Sequence, residues 1–142
     1  MKARRLMTRD VLCILPETPL GRAWTMMLEQ SVRHLLVTRD GRLIGMLSDR
    51  DVLPRSPAER ASLTAGEVMT LNPIACPAGT RVSRVAQLML EHRIDAVPIV
   101  SVDNQVVGLL TSTDLMSLLL EAKATTSEVP VTFRVSSAQA LA

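Results

Sequence analysis

Aromatic side chains are nearly absent from this sequence: among 142 residues there are one tryptophan, Trp24, one phenylalanine, Phe133, and no tyrosine. Proteins that bind single-stranded nucleic acid without sequence preference stack the bases on aromatic rings, so this class of function is disfavoured. The hydrophobic content of 47% nevertheless suffices for a substantial core, which must be aliphatic. The length suits one ordinary domain or two small halves that pack closely together.

Charge of a single sign is also scarce. The formal net charge is +2 and the basic residues are scattered, which argues against a DNA-binding face, so we expect no nucleic-acid partner. No apolar run reaches the length of a membrane span, and residues 1–9 lack the apolar core of a signal peptide. These absences favour a cytoplasmic protein with no membrane partner.

Cysteine and histidine are few: Cys13, Cys76, His34 and His92. Each cysteine lies in a short apolar run, which predicts buried free thiols in a reducing compartment rather than a disulfide. Four scattered ligands do not make a metal site, so we expect no metal. The sequence also lacks a Ser-His-Asp or Cys-His constellation and a phosphate-binding P-loop, so we expect no catalytic activity.

One unit of sequence occurs twice, which is the strongest signal in the chain. The separation is 62 residues in the first part of the unit and 63 after one inserted residue. Pairs of matching residues are Met7 and Met69, Thr18 and Thr80, Met27 and Met89, Gly45 and Gly108, and Asp51 and Asp114. The repeat predicts a first unit over residues 1–55, a connector over 56–63, a second unit over 64–123 and a tail over 124–142.

Each unit is predicted to run helix, strand, helix, strand, strand, helix. The first strands are expected at Val11–Ile14 and Ile74–Cys76. Thr18-Pro19 is typical of an N-cap followed by proline at the first helical position, and Thr64 and Glu67 have the spacing of a capping box. The last helix stops early in the first unit because Pro54 follows it. In the tail, alternation over 129–135 indicates a possible edge strand or dimer contact, or else a disordered end.

An apolar face at helical spacing follows the first strand of each unit. The face contains Leu20, Ala23, Trp24 and Met27 in the first unit, and Val82, Val85, Ala86 and Met89 in the second. The methionines suit a core, and Trp24 suits a core or a contact between modules. Because Leu20, Trp24, Val82 and Val85 cannot all be buried in one module of this size, we expect a homodimer.

A β-hairpin comes next in each unit, over Leu35–Asp51 and Val97–Asp114, with turn residues at Asp40-Gly41 and Asp103-Asn104. Each hairpin runs into Gly-x-x-Ser/Thr-x-x-Asp. The motif residues are Gly45, Ser48 and Asp51, then Gly108, Thr111 and Asp114. A glycine permits close approach to the backbone. A hydroxyl and a carboxylate at a helix start suit phosphate and sugar hydroxyls, or they cap the helix.

This ordered set of motifs resembles a tandem pair of CBS domains (named after cystathionine β-synthase), the arrangement called a Bateman module. The resemblance covers roughly Lys2–Ala122. It is carried by Leu6–Thr8 and Val68–Thr70, by Val97–Val100, and by both Gly-x-x-Ser/Thr-x-x-Asp stretches. It implies an α+β fold of two β-α-β-β-α units packed about a pseudo-twofold axis. It also implies that clefts between the units bind AMP, ADP, ATP or S-adenosylmethionine, and that two modules pair into a disc-shaped dimer.

A nucleotide needs an apolar slot for its base, an acceptor for ribose hydroxyls and donors for phosphate. The candidates in the first copy are Cys13, Ile14, Arg33, His34, Leu35, Leu36, Ser48, Arg50 and Asp51. Those in the second copy are Ile74, Ala75, Ala96, Val97, Pro98, Thr111, Thr113 and Asp114. The alternatives are that both aspartates and both hydroxyls only cap helices, and that Arg33-His34 is a solvated pair.

The two sites are expected to differ. The first copy has Arg33-His34 where the second has Asp95-Ala96, and Arg50 where the second has Thr113. Because phosphate prefers cationic donors, we expect phosphates on the Arg33, His34 and Arg50 side. The function predicted is a ligand-sensing regulatory module with no required cofactor, acting on a separate effector protein. The alternative is a structural dimerisation or partner-binding module with empty pockets.

Overall fold

The computed structural model describes residues 1–125 of the chain, which form a mixed α+β fold. The predicted tail strand lies outside the described residues. The elements are α1 (Ala3–Leu6), β1 (Cys13–Ile14), α2 (Leu20–Gln30), β2 (His34–Arg39), β3 (Arg42–Ser48), α3 (Asp49–Val52), α4 (Pro57–Ser62), α5 (Ala65–Val68), β4 (Thr70–Leu71), β5 (Cys76–Pro77), α6 (Val82–His92), β6 (Ala96–Val100), β7 (Val106–Thr111) and α7 (Ser112–Thr125).

Two sheets carry the repeat. One has the order β1-β2-β3-β4 and the other β5-β6-β7. β1 is parallel to β2, and β5 to β6, while both hairpins are antiparallel. Each unit is therefore β-α-β-β-α, as the sequence predicts. Asp40, Gly41 and Asn104 have φ values of 53°, 77° and 59°, a left-handed conformation that Asp, Asn and Gly adopt readily in tight hairpin turns.

The two units pack face to face, as expected from their short connector. Between the sheets lies an apolar cluster that draws on both units, with Leu36 and Leu43 from one and Ala96 and Leu109 from the other. The hairpin turns also meet. The Val106 N–H donates to the Gly41 carbonyl at 3.0 Å, and the Leu43 N–H donates to the Asn104 carbonyl at 3.0 Å. These contacts hold the clefts between the units in a fixed geometry.

The predicted apolar helix faces are largely buried inside the module. Leu20 and Val85 are inaccessible to solvent and Val82 is buried. The expectation that these residues form a dimer surface is therefore wrong, because each unit packs its long helix onto its own sheet. Trp24 is half-buried, and the Arg60 guanidinium of α4 lies 5.0 Å above its ring.

The two units exchange their first helices. Ala3 and Met7 pack in the core of the second unit, whereas Ala65 of α5 packs in the core of the first. The edge strands follow the same exchange, because Thr8 pairs with Leu109 and Thr70 pairs with Met46. The sequence period thus describes the repeat, but each hydrophobic core draws residues from both copies.

The exchange explains why two predicted caps do not form. Pro19 forms an isolated β-bridge with Thr64. The Leu20 N–H donates to the Leu63 carbonyl at 2.9 Å, and the Ala65 N–H donates to the Thr18 carbonyl at 2.8 Å. Backbone carbonyls of the connector and of the first copy thus accept from the first N–H groups of α2 and α5. Pro19, rather than Thr18, is the N-cap of α2, so that prediction is wrong. Thr64 is the N-cap residue of α5, as predicted, but it makes no side-chain capping hydrogen bond.

The motif glycines make room for the exchanged segments. A methyl group added at Gly108 would lie 2.5 Å from the Met7 sulfur and 3.0 Å from the Thr8 carbonyl oxygen. One added at Gly45 would meet the side chain of Met69 and would lie 2.8 Å from the Thr70 carbonyl oxygen. Both distances are shorter than normal contacts, so the Met-Thr and Gly motifs are two halves of one packing arrangement.

The lengths of the first strands and the burial of Cys13 differ from the predictions. β1 and β5 have two residues each, shorter than the predicted Val11–Ile14, and β5 begins only at Cys76. Both cysteines are free. Cys76 is buried, and this burial raises the pKa of its thiol. Cys13 is exposed, so its predicted burial is wrong.

The connector is helical. Ser56 caps α4, its hydroxyl accepting from the Glu59 N–H at 3.2 Å while Glu59 accepts from the Ser56 N–H at 3.1 Å. These hydrogen bonds, chiefly that from the Ser56 backbone, hold the pKa of Glu59 below its usual value. No helix within residues 1–125 is both long and apolar enough to cross a bilayer.

Candidate functional site

Two clefts open between the units, and both copies of the repeat contribute to each. Cleft 1 has a volume of about 220 Å³. It lies between the segment after α1, the turn that leads from α2 into β2, and the start of α7. Its lining residues are Thr8, Asp10, Val11, Leu12, Ser31, Val32, Arg33, His34, Leu109, Thr111 and Thr113.

Cleft 2 is the repeat-equivalent of cleft 1 and has two adjoining parts, of about 150 and 270 Å³. They share Met46, Thr70 and Ile94. The first part is lined by His34, Met46, Ser48, Asp49, Arg50, Asp51, Thr70, Arg93, Ile94 and Asp95. The second is lined by Met46, Thr70, Asn72, Pro73, Ile74, His92, Ile94 and Ala96.

The candidate residues cross between the copies. Arg33 and His34 of the first copy line cleft 1 together with Thr111 and Thr113 of the second. Conversely, Ser48, Arg50 and Asp51 line cleft 2 opposite Ile74 and Ala96. Arg33 and Arg50 therefore line different clefts, so the basic side on which phosphates are expected is divided between the two clefts. The crossing follows from the face-to-face packing, which the sequence alone does not orient.

Each motif aspartate caps the helix that follows its hairpin. Asp51 Oδ2 accepts from the Ser48 N–H at 2.8 Å and lies 3.2 Å from the Ser48 hydroxyl. Asp114 Oδ2 repeats this arrangement with Thr111, at 2.8 and 3.1 Å. The capping alternative is thus observed. It uses the Oδ2 atom of each carboxylate, and no protein hydrogen bond to the Oδ1 atoms is found among the described residues.

One side-chain pair bridges the two copies inside the clefts. His34 Nε2 lies 3.1 Å from Asp95 Oδ1, with the histidine buried and the aspartate partly exposed. An ionised carboxylate can only accept, so the imidazole Nε2–H donates this hydrogen bond. Asp95, which could have repelled phosphate from cleft 2, is thus already partnered.

Three arginines at the clefts are exposed and make no ion pair or hydrogen bond with any described side chain: Arg33 in cleft 1, and Arg50 and Arg93 in cleft 2. A ligand can therefore recruit any of these guanidinium groups without breaking an existing contact. Both clefts present charges of both signs, because Asp10 lines cleft 1 and Asp49 lines cleft 2, and cleft 1 is the richer of the two in hydroxyl groups.

Eight candidates do not line the clefts. Ile14, Leu35 and Val97 are buried in the cores of the units, and Leu36 lies between the sheets. The remaining four are Cys13, which is exposed, Ala75, Pro98 and Asp114.

Several residues that line the clefts were not predicted from the sequence. Thr8 and Thr70 were seen only as repeat marks, yet each contributes to a cleft through the exchanged edge strands. Ser31 and Arg93 occupy equivalent left-handed positions at the ends of α2 and α6. The constant offset of the repeat could have indicated these pairs, but nothing local to either residue marks it as part of a site.

Comparison with known proteins assigns the family. A CBS-domain model matches residues 3–57 and again 65–121, so the chain belongs to the CBS-domain family. Inosine-5'-monophosphate dehydrogenase from Thermoplasma acidophilum is 28% identical over 112 residues, which are 79% of this chain and 22% of that protein. The chain spans less than a quarter of the length of the first curated relatives it matches.

Solved structures share the fold. The CBS domain pair of protein MJ0100, in complex with 5'-methylthioadenosine and S-adenosyl-L-methionine, is 23% identical with a TM-score of 0.79 and covers 87% of this chain and 98% of that chain. CBSX2 from Arabidopsis thaliana was solved in complex with AMP. This complex is 24% identical with a TM-score of 0.78, covering 86% and 98% of the two chains. The β-α-β-β-α architecture is thus that of a CBS domain pair.

Proposed function

We propose that this protein is a regulatory module that binds an adenosine-containing ligand in clefts 1 and 2 and has no catalytic activity of its own. The candidate ligands are AMP, ADP, ATP and S-adenosylmethionine. The observation that carries the proposal is the crossed construction of the clefts. In each cleft a hydroxyl at the start of a helix from one copy faces apolar residues at a strand entrance from the other.

This arrangement fits the parts of a nucleoside. Val11, Leu12 and Leu109 in cleft 1, and Met46, Ile74 and Ile94 in cleft 2, offer an apolar slot for a base. We expect the Oδ1 atom of Asp51 to accept from ribose hydroxyls, while arginines and hydroxyls supply donors for phosphate or carboxylate. The AMP and S-adenosylmethionine complexes of two proteins with this fold support this ligand class.

We expect adenosine compounds to raise the thermal stability of the protein, because a ligand that binds only the folded state stabilises it. At a hundredfold excess over Kd the gain is about 2.7 kcal/mol, and we expect micromolar affinity, which corresponds to roughly −8 kcal/mol. The measurement is thermal denaturation with AMP, ADP, ATP or S-adenosylmethionine, with GMP as the matched control for the base. Absence of stabilisation by all four adenosine compounds would contradict the proposal.

The second candidate is a structural dimerisation or partner-binding module whose clefts stay empty. It is favoured by the capping contacts of Asp51 and Asp114, since these carboxylates already have a structural role. The two candidates differ in their response to ligand, because only the first is stabilised by adenosine compounds. Both include self-association.

We propose that the module forms a homodimer through its outer helices. Two repeat-equivalent pairs of large apolar residues are exposed there: Leu28 and Leu90 on α2 and α6, at 61% and 82%, and Leu53 and Met116, both at 56%. A patch that follows the internal twofold suits an isologous contact with a second copy. This exposed patch takes the place of Leu20, Val82 and Val85, the buried residues from which the sequence predicted a homodimer.

The double change Leu28→Arg and Leu90→Arg is expected to convert the dimer to a monomer, because it places two charges in the apolar contact of each protomer. Light scattering coupled to size exclusion gives the mass directly. Val102→Arg is the matched control, since Val102 is fully exposed on the turn between β6 and β7 and should leave the mass unchanged. A wild-type monomer at micromolar concentration would refute the dimer.

We further propose that an effector protein in contact with the module responds to occupancy of the clefts. The cytoplasm is the proposed location, because adenine nucleotides are plentiful there and the free thiols Cys13 and Cys76 stay reduced.

A further inference from the structure

His34 is the lining residue that the first part of cleft 2 shares with cleft 1. Its hydrogen-bond partner Asp95 lines cleft 2. The pair thus forms a partition between two sites, each of which is built to hold a ligand. A ligand in one cleft that moves either side chain of this pair therefore also changes the lining of the other cleft.

The backbone of each partner is tied to the opposite cleft. The Asp95 carbonyl accepts from the Ser112 N–H at 2.9 Å, which fixes the start of α7 between Thr111 and Thr113 of cleft 1. His34 pairs with Ser48 of cleft 2 across the β2–β3 ladder. The side-chain hydrogen bond therefore joins the two backbone connections that position the helix starts of both clefts.

The pair occurs on one side of the pseudo-twofold axis. At the equivalent positions the repeat has Ala96 in place of His34 and Arg33 in place of Asp95, and this combination cannot form the same hydrogen bond. Because only one of the two equivalent positions has this pair, the pair is not a contact that the fold itself requires. Each β-hairpin and helix start forms equally well in the unit that lacks the pair.

We propose that His34 and Asp95 are a positioning pair that couples ligand binding in cleft 1 to binding in cleft 2; this rests on the proposed adenosine-binding function. His34 has one Nε2–H, which can be directed at one acceptor at a time. An anionic group in cleft 1 competes for this donor and leaves the Asp95 carboxylate unpaired in cleft 2. The unpaired carboxylate then repels a second anionic ligand, so the coupling is negative.

AMP is the probe, and its binding is followed separately in each cleft by methyl NMR. The Val11 methyl groups report on cleft 1 and the Met46 methyl group on cleft 2. Thr113→Glu serves to block AMP in cleft 1 by adding a carboxylate at an exposed lining position. The coupling factor is the Kd of cleft 2 with cleft 1 filled, divided by its Kd in the blocked protein.

We expect a coupling factor of at least about 5 in the wild-type background, within the usual range of roughly 5–150-fold for communicating sites. In the Asp95→Asn background it should fall close to 1. The asparagine oxygen still accepts from His34 but carries no charge to repel AMP. Because the block is made in both backgrounds, any direct effect of the new glutamate on cleft 2 enters both factors and cancels in their ratio, which should be at least about 5.

His34→Gln distinguishes coupling from a purely structural role. It should also bring the factor close to 1, whereas a structural role would lower the unfolding temperature without changing the factor. AMP in both clefts with a wild-type factor of 1, or a factor that persists in both variants, would overturn the inference while the proposed function stands. AMP in one cleft alone, in the wild type and in both variants, would overturn the inference and limit the proposed function to that cleft. No methyl shift in either cleft with AMP would overturn the inference, and the proposed function would fall with it if ADP, ATP and S-adenosylmethionine also gave no stabilisation.

Discussion

Replacing Met7 with alanine is expected to lower the free energy of unfolding by about 2–5 kcal/mol, the usual cost of truncating a buried methionine. Met7 is buried in the core of the second unit, beside Cys76 and Leu110. The loss should therefore appear in the second unit, although the substitution lies at the N-terminus of the first. Chemical denaturation gives the magnitude, and amide hydrogen exchange shows which unit loses protection.

Val102→Ala is the control, because Val102 is fully exposed, lies outside the proposed dimer contact, and its truncation should cost within about 0.5 kcal/mol. A double-mutant cycle tests the packing more sharply. Gly108→Ala alone should cost about 1–3 kcal/mol from overpacking, and less when Met7→Ala has removed the sulfur that the new methyl group meets. Loss of protection confined to β1, β2 and β3 would contradict the exchange of first helices.

Asp51→Asn is expected to weaken adenosine binding in cleft 2 about 10–100-fold while leaving α3 capped. The asparagine oxygen still accepts from the Ser48 N–H, but the charged acceptor for ribose hydroxyls is lost, and a hydrogen bond to a charged group contributes about 1.5–3 kcal/mol. The Met46 methyl group gives the affinity of cleft 2 directly. Binding in cleft 1 should change far less, because Asp51 does not line it.

Ser56→Ala controls for the loss of a cap. Ser56 and Glu59 form the same kind of capping box as Ser48 and Asp51, but neither residue lines a cleft. The substitution should cost about 0.5–2 kcal/mol of stability with no change in affinity. Equal effects of Asp51→Asn and Ser56→Ala on adenosine affinity would show that Asp51 only caps α3 and does not contact the ligand.

Local and periodic features were predictable from the sequence. The turn at Asp40-Gly41 needs residues that tolerate positive φ, and the turn at Asn104 does too, so both hairpins are encoded in a few neighbouring residues. The buried positions Ala23 and Met27 follow from helical spacing alone. Because both copies carry the same motifs in the same order, each local prediction applies to both units, and the β-α-β-β-α order of both is confirmed.

Features that depend on how the copies meet were not predictable. The residues around Thr18 and Thr64 have the chemistry of caps, yet their backbones bond to each other because the first helices are exchanged. Arg33 and Arg50 belong to the same copy of the repeat, yet they line different clefts. Such outcomes are decided by contacts between residues far apart in the sequence, for which no local pattern exists.

The exchanged first helix also sets an order in time. α1 precedes the other described elements in the chain, but Met7 packs against Gly108, about 100 residues later, whose synthesis at 5–20 residues per second takes roughly 5–20 s more. The first core already contains Ala65, so it can close once α5 has emerged. α1 is thus made before the other described elements and reaches its final position after them, when β7 completes the surface on which it packs.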